Sequence, residues 1–285
     1  VKFPVIKFYR IEGLSAIIKY SSLIIIAGSI ATIILDIDSF MLGMYIPIQE
    51  VAYYGVAIYI ATVIVVPSRS MQQILQPLTA QYLNDNNKVA LKDLYVRSSQ
   101  TLFIIGGFIF IIILININAL YMLIPKQFSG GLLVVFLVGI AKLYDCLMGC
   151  NNVVLFNSDY YRVVLLFGVI LTVLTVILNI VFIPVFGING SALATFLAIS
   201  IYNTIKIYFV KAKFNMMPFD KNTAKVLILI ILSTALFYFW EFPFHPIINI
   251  AFKTLLASGI YVLVILKLNV SDDISGVIKK YLKLG

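Results

Sequence analysis

The sequence is poor in charged residues, which make up 12% of its positions, whereas hydrophobic residues make up 62%. Soluble domains carry about twice that share of charge. Long uncharged runs recur along the whole chain, so the composition excludes an ordinary water-soluble protein and predicts a polytopic membrane protein. The apolar runs are continuous and do not alternate with polar residues, which argues against a transmembrane β-barrel.

Residues that build catalytic and metal sites are scarce as well. The chain has one histidine, His245, and two cysteines, Cys146 and Cys150, which are one helical turn apart. His245 has no evident nucleophile or metal partner, and a metal site needs more ligands than the two cysteines supply. No glycine-rich phosphate loop occurs. We therefore predict no enzyme activity, no catalytic residue, no metal site and no cofactor, and we interpret the cysteines as small packing residues.

Eight apolar segments are long enough to cross a hydrocarbon core of about 30 Å. The predicted fold class is all-α, a polytopic membrane protein with about eight transmembrane helices. Residues 1–19 mix basic and apolar side chains and are expected to form an amphipathic interfacial segment. A six-helix unit follows over residues 20–210, and an additional pair of helices with a tail occupies residues 211–285. The predicted spans are 20–43, 51–67, 101–124, 131–150, 162–183, 190–210, 224–242 and 247–266.

Basic residues fall almost entirely on one side of this arrangement. They precede span one, follow span eight, or lie between spans two and three, four and five, and six and seven. The other side carries only Lys126, while Lys142 and Lys253 lie within spans. By the positive-inside rule, both termini are expected in the cytoplasm. The net charge of +9 therefore needs no nucleic-acid partner to explain it.

The stretch from Asn179 to Ala198 is expected to form the tip of a helical hairpin. Pro184 lacks an N–H and predicts the end of a helix, Gly187 can adopt the positive φ of a turn, and Asn189 is a favourable N-cap. The helix after the turn presents a face of small residues at four-residue spacing, which lets helices approach closely in lipid. These small residues are Gly190, Ala194 and Ala198.

Charged side chains inside the spans are the candidate binding residues, because each costs about 2.5–3.5 kcal/mol near the bilayer centre. The candidates are Asp36, Asp38, Lys142, Asp145 and Lys253. Asp36 and Asp38 are about 200° apart around a helix, so at most one of them points into a common cavity. Lys142 and Asp145 are three residues apart and can pair on one face of their helix.

Lys253 lies about 10 Å below the outer end of its predicted span, by helix rise. Asp36 lies at a similar depth, so a pair between Asp36 and Lys253 stays open. For all five candidates, the functional interpretation is a polar cavity for a charged substrate or a coupling ion. The structural alternative is hydrogen bonding between helices, or snorkelling to the membrane surface.

Several motifs in a consistent order resemble those of a known family. The stretch Asn179-x4-Pro184-x2-Gly187-Ile188-Asn189-Gly190-x-Ala192-x-Ala194-Thr195 is similar to the signature hairpin of bacterial polysaccharide biosynthesis membrane proteins. These are the O-antigen and capsule repeat-unit flippases of the multidrug/oligosaccharidyl-lipid/polysaccharide exporter superfamily. The other similar stretches are Asp38-Ser39-x-Met41-Leu42, Glu50-Val51-Ala52-Tyr53-Tyr54, Pro67-x-Arg69, Gln76-Pro77 and Tyr160-Tyr161-Arg162.

The resemblance covers nearly the whole chain and matches the C-terminal half of the family, spans seven to fourteen. It implies the C-terminal lobe of a MATE-like transporter fold, so we expect a partial chain whose partners are membrane lipids and a missing N-terminal lobe. The implied activity is flipping of an undecaprenyl-diphosphate-linked glycan across the bacterial inner membrane. In that interpretation Lys142 attracts the diphosphate, Asp145 tunes it, and Asp36 or Asp38 binds sugar hydroxyls or a coupling cation.

Three other functions remain open. A drug/cation antiporter of the same superfamily should carry an acidic cavity that binds protons or sodium. A membrane glycan polymerase or ligase usually needs a sizeable outer loop with catalytic residues, and the short outer connections argue against one. A structural membrane scaffold would need no transport site.

Overall fold

The computed structural model describes Ser15, Ile18, residues 36–243 and residues 245–282. The chain divides into two compact units, Val1–Ile37 and Asp38–Gly285. The predicted interfacial segment 1–19 and most of the predicted first span therefore lie outside the described residues, and they remain predictions.

The described part of the chain is built from helices joined by turns and short connections, which confirms the all-α prediction. Residues 36–45 form α1. Short 3₁₀ segments, Val63–Val65 and Lys126–Gly131, join α2 to α3 and α4 to α5. The other helices are α2 (Ile48–Thr62), α3 (Val66–Asn84), α4 (Lys88–Leu123), α5 (Leu132–Leu147), α6 (Asn151–Phe156), α7 (Tyr161–Phe214), α8 (Lys221–Tyr238), α9 (Pro246–Leu268) and α10 (Asp272–Leu282).

Five helical stretches among the described residues are long and apolar enough to cross a membrane. They contain the predicted spans two, five, six and eight and most of spans three and seven. The 16-residue α5 covers most of span four. Span three and the polar residues before it form one 36-residue helix, which begins where the side chain of Asn87 accepts a hydrogen bond from the backbone N–H of Ala90. The five stretches are Ile48–Asn84, Lys88–Leu123, Tyr161–Phe214, Lys221–Tyr238 and Pro246–Leu268.

The 54-residue segment α7 consists of two helical arms, and the chain reverses direction between them at Gly187. This residue has φ 55° and ψ −131°, a conformation that glycine adopts without steric cost. Asn179 and Thr195 are eight residues before and eight residues after it, and both donate hydrogen bonds to the carboxylate of Asp38. A straight helix would separate them by about 24 Å. The two arms of α7 therefore run antiparallel, and the predicted hairpin is confirmed.

Two details of the predicted hairpin are wrong. Pro184 does not end the first arm, since the helix continues past it and the break comes three residues later at Gly187. A proline removes only one backbone hydrogen bond, and helices in membranes tolerate that loss. Asn189 is not an N-cap, because its buried side-chain oxygen accepts no hydrogen bond within the described part of the chain.

Gly190 determines how closely the two arms of α7 approach. A Cβ atom at this position would lie 2.1 Å from the carbonyl oxygen of Phe182 on the first arm. Backbone would have to move, so we expect Gly190→Ala to lower the free energy of unfolding by about 1–3 kcal/mol, measured by unfolding of the purified protein in detergent. Gly168→Ala is the matched control on the same helix, because its Cβ would meet open space and alanine favours helix. Equal stability of the two variants would contradict the closed hairpin.

The connections predicted to share one side of the membrane gather at one end of the bundle. A buried apolar cluster joins the second half of α3, the start of α4, α6 and both ends of α7. Its members include Leu75, Leu91, Tyr95, Val154, Phe167, Val210 and Met216. Both ends of α7 meet there because the helix is a hairpin. The connections that were predicted to lie on the same side of the membrane are therefore close together in the structure.

The tail helix α10 is fixed near the start of α4 by an ion pair. Arg97 on α4 donates hydrogen bonds to both carboxylate oxygens of Asp273 on α10. These bonds hold the pKa of the Asp273 carboxyl below its ordinary value, so the pair stays ionised near neutral pH. At the other end of α4, Asn118 donates a hydrogen bond of 3.2 Å to Glu241 in the turn between α8 and α9. The tail and the α8–α9 turn thus lie at opposite ends of α4.

Candidate functional site

Asp38 lies where α1, α2 and the two arms of α7 meet. Its side chain is buried and accepts hydrogen bonds from the hydroxyl of Tyr54 at 3.2 Å, from Nδ2 of Asn179 at 2.7 Å and from the hydroxyl of Thr195. The hydroxyl of Ser191 donates in turn to the Tyr54 oxygen at 3.3 Å. A carboxyl group in an apolar interior is costly unless it is hydrogen-bonded. These four side chains therefore explain how the bundle accommodates Asp38.

The local sequence places these donors. Ser191 and Thr195 are four residues apart on the second arm of α7 and share one face of the helix. Asn179 faces them from the first arm because the chain reverses at Gly187. Tyr54 reaches the same point from α2 and is 1% exposed. The turn at Gly187 is therefore what brings the donors of both arms to one carboxyl group.

A second polar group lies between α5 and the second arm of α7. Lys142 and Asp145 form the ion pair that their spacing predicts, with 3.8 Å between Nζ and Oδ2. The other Asp145 oxygen, Oδ1, accepts a hydrogen bond of 2.8 Å from Nδ2 of Asn203. The side chains of Lys142 and Asp145 are 18% and 34% exposed. Both therefore reach the surface of this unit, whereas Asp38 is enclosed.

Lys206 is a further basic residue near this group. The topology prediction counts it with the basic connection between spans six and seven, although position 206 lies inside the predicted span 190–210. The structure places it within α7 with 1% exposure. Its ammonium nitrogen lies 4.4 Å from the centre of the Tyr202 ring. Helical spacing could have predicted that Lys206 belongs to this group. Ser191, Thr195, Tyr202 and Lys206 lie on one polar face of the second arm.

The second arm of α7 connects the two groups, because Thr195 bonds to Asp38 and Asn203 bonds to Asp145. We call the combined set the polar core. It presents amide and hydroxyl donors, two carboxyl groups and two amines inside a bundle of otherwise apolar helices. Such a set can bind a polar or charged molecule. Its members are Asp38, Tyr54, Lys142, Asp145, Asn179, Ser191, Thr195, Asn203 and Lys206.

Lys253 lies outside the polar core, in the contact between α4 and α9. Its ammonium group is buried and donates a hydrogen bond of 2.7 Å to the backbone oxygen of Ile115. The neighbouring Asn116 donates to the hydroxyl of Thr254 at 3.0 Å. These contacts favour interhelical hydrogen bonding for Lys253. Asp36 belongs to the other unit, so its role and its pairing with Lys253 remain predictions.

A groove of about 580 Å³ between α4, α5 and α8 is the wrong environment for a charged ligand. Its lining includes Phe110, Phe136 and Ile230, and no charged side chain lines it among the described residues.

Cys146 and Cys150 are free thiols with 0% exposure, in keeping with their interpretation as packing residues. The polar core is therefore the candidate site.

Comparison with known proteins gives one family match. Residues 24–127 match the model of the MatE family, over roughly a third of the chain. The matched segment includes Asp38 and Tyr54 but ends before α5 and α7. No curated protein and no solved structure matches the chain. Together with the helices of membrane-spanning length, the family match supports a membrane transporter of the MATE superfamily.

Proposed function

We propose that the chain forms the C-terminal lobe of a flippase for undecaprenyl-diphosphate-linked glycans in the bacterial inner membrane. A glycan and a diphosphate cannot cross hydrocarbon unaided, because each polar group would lose its hydrogen bonds to water. A polar core inside one lobe, facing a second lobe, would shelter them while the lipid tail stays in the bilayer. Rocking of the two lobes would open the path alternately to each side.

The observation that carries this proposal is that the Lys142 ammonium group is partly exposed and makes no close hydrogen bond to Asp145. Its ammonium nitrogen is 3.8 Å from the Asp145 carboxylate, which is longer than a hydrogen bond. An ammonium group has three donors, and Asp145 takes none of them at that distance. Lys142 is also partly exposed at the surface of the unit. It can therefore bind an anionic group such as a diphosphate.

The rival function is that of a drug/cation antiporter, and the family match is equally consistent with it. The geometry of the polar core helps to choose between the two. An antiporter needs carboxylates that can bind a proton, sodium or a cationic drug. Asp38 already accepts hydrogen bonds from three neutral donors, and Asp145 accepts one from Asn203 and forms an ion pair with Lys142. The amines of the polar core therefore favour an anionic substrate over a cationic one. Because MatE proteins are transporters, the family match argues against a polymerase or ligase.

The distribution of basic residues supports the orientation of this lobe. The connections that carry most lysines and arginines gather at one end of the bundle, with the tail helix α10. By the positive-inside rule this end would lie in the cytoplasm. We propose the missing lobe and the surrounding lipids as the partners of this chain, and no nucleic acid.

The two rival functions can be separated with the intact gene product reconstituted in liposomes. A fluorescent undecaprenyl-diphosphate sugar is placed in the membrane, and its flipping is read by the fraction that a membrane-impermeant reductant quenches. Ethidium efflux under a proton or sodium gradient is measured on the same liposomes, with protein-free liposomes as the control. We expect flipping without efflux. Gradient-driven efflux without flipping would assign the protein to the antiporters.

A further inference from the structure

Two consecutive residues of α5 pair with two consecutive residues of the second arm of α7. Asp145 accepts the hydrogen bond of Asn203 at 2.8 Å, and the hydroxyl oxygens of Tyr144 and Thr204 are 2.9 Å apart. Neither Tyr144 nor Thr204 is buried, and the Asp145 side chain is 34% exposed. Ionisable side chains within membrane segments face protein or a water-filled cavity, so we expect this open polar contact to face the transport path.

The hydrogen bonds of Thr204 fix the direction of its bond to Tyr144. The Thr204 hydroxyl donates to the backbone oxygen of Ser200 at 2.7 Å. A hydroxyl group has one hydrogen, so Tyr144 is the donor in the bond between the two hydroxyls. The phenol oxygen of Tyr144 therefore keeps its lone pairs as acceptors, and no residue in the described part of the chain donates to it.

Asp145 supplies a second acceptor next to the Tyr144 phenol oxygen. Its Oδ2 atom accepts no close hydrogen bond from the described residues, since the ammonium nitrogen of Lys142 is 3.8 Å away. A diphosphate offers only acceptors, so it can bind to the ammonium group but not to the carboxylate or the phenol oxygen. A sugar hydroxyl carries a donor hydrogen and can bind to both acceptors. One ammonium group beside two acceptors thus matches a diphosphate that is followed directly by a sugar.

We propose that Tyr144 and Asp145 form a subsite for the hydroxyl groups of the sugar attached to the diphosphate. Asp145 is the carboxylate of the polar core that a sugar can reach, because Asp38 is enclosed and already accepts three hydrogen bonds. This inference rests on the proposed function, in which Lys142 binds the diphosphate.

The test compares the binding of two probes to the intact, purified protein: undecaprenyl diphosphate, and the same lipid carrying one hexose. The measured quantity is the ratio of the two dissociation constants, which reports the contribution of the sugar. Tyr144→Phe removes the phenol oxygen and should lower the preference for the sugar-bearing lipid about fivefold, the loss of one neutral hydrogen bond. Asp145→Asn should lower it about tenfold, because hydrogen bonds to charged groups are stronger.

Tyr59→Phe is the matched control, because it removes the same hydroxyl from an exposed tyrosine on α2 and should keep the original ratio. An unchanged ratio in Tyr144→Phe or in Asp145→Asn would overturn the inference. An equal loss of both probes would overturn it as well, since that result marks a structural role. If the original protein bound the two lipids equally well, the sugar subsite alone would be refuted. If it bound neither lipid, the proposed function itself would fail.

Discussion

Replacing Asp38 with alanine is expected to be the most destabilising single change in the polar core. The substitution leaves the donors of Tyr54, Asn179 and Thr195 buried without their acceptor. An unsatisfied buried group costs about 1–3 kcal/mol in water-soluble proteins, and interhelical bonds in membranes are weaker, so we expect a loss of about 2–4 kcal/mol in total. The measurement is the free energy of unfolding of the purified protein in detergent.

Two further variants make the Asp38 experiment specific. Asp38→Asn keeps one acceptor oxygen and should fall between the original protein and Asp38→Ala. Glu50→Ala is the control, because this carboxylate is exposed at the start of α2 and should change stability by less than about 0.5 kcal/mol. If Asp38→Ala proved as stable as Glu50→Ala, Asp38 would not hold the two arms of α7 together.

Replacing Lys142 with methionine is expected to have the largest effect on transport. A hydrogen bond to a charged group contributes about 1.5–3 kcal/mol, so flipping of the labelled undecaprenyl-diphosphate sugar should fall about 10- to 100-fold. Stability should hardly change, because Asp145 keeps its hydrogen bond to Asn203 and its side chain is partly exposed.

The matched control for Lys142 is Lys211→Met. Lys211 is exposed in the last turn of α7, so its removal should leave flipping within about twofold. Normal flipping by Lys142→Met at normal protein level would remove Lys142 from the substrate path. A parallel loss of stability and flipping would give Lys142 a structural role.

The hairpin shows what local sequence can predict. Gly187 and the small residues after it identify a reversal between two apolar helices, because few other patterns allow both a positive φ and close helix contact. The roles predicted for Pro184 as a helix end and for Asn189 as an N-cap are wrong. Whether a proline ends a helix, or an asparagine caps one, depends on the surrounding backbone, which the sequence does not contain.

The polar core shows what local sequence cannot predict. The ion pair of Lys142 and Asp145 follows from their spacing on one helix. The donors to Asp38 come from α2 and from both arms of α7, which are far apart in sequence, so only the tertiary structure brings them together. Lys206 lies inside the predicted sixth span, near its end, where a lysine can also reach the membrane surface. Its burial follows from tertiary packing, which the sequence does not contain.

The central claim is that the face of α5 with Lys142 borders a water-filled path, whereas Lys253 is enclosed between α4 and α9. The most direct test is thiol accessibility in a variant whose two native cysteines are serine, with Lys142→Cys and Lys253→Cys made separately. The account predicts that a charged, membrane-impermeant thiol reagent labels position 142 and leaves position 253 unlabelled. If position 142 proved as unreactive as position 253 in membranes, α5 would face lipid or protein there, and the proposed transport path would be wrong.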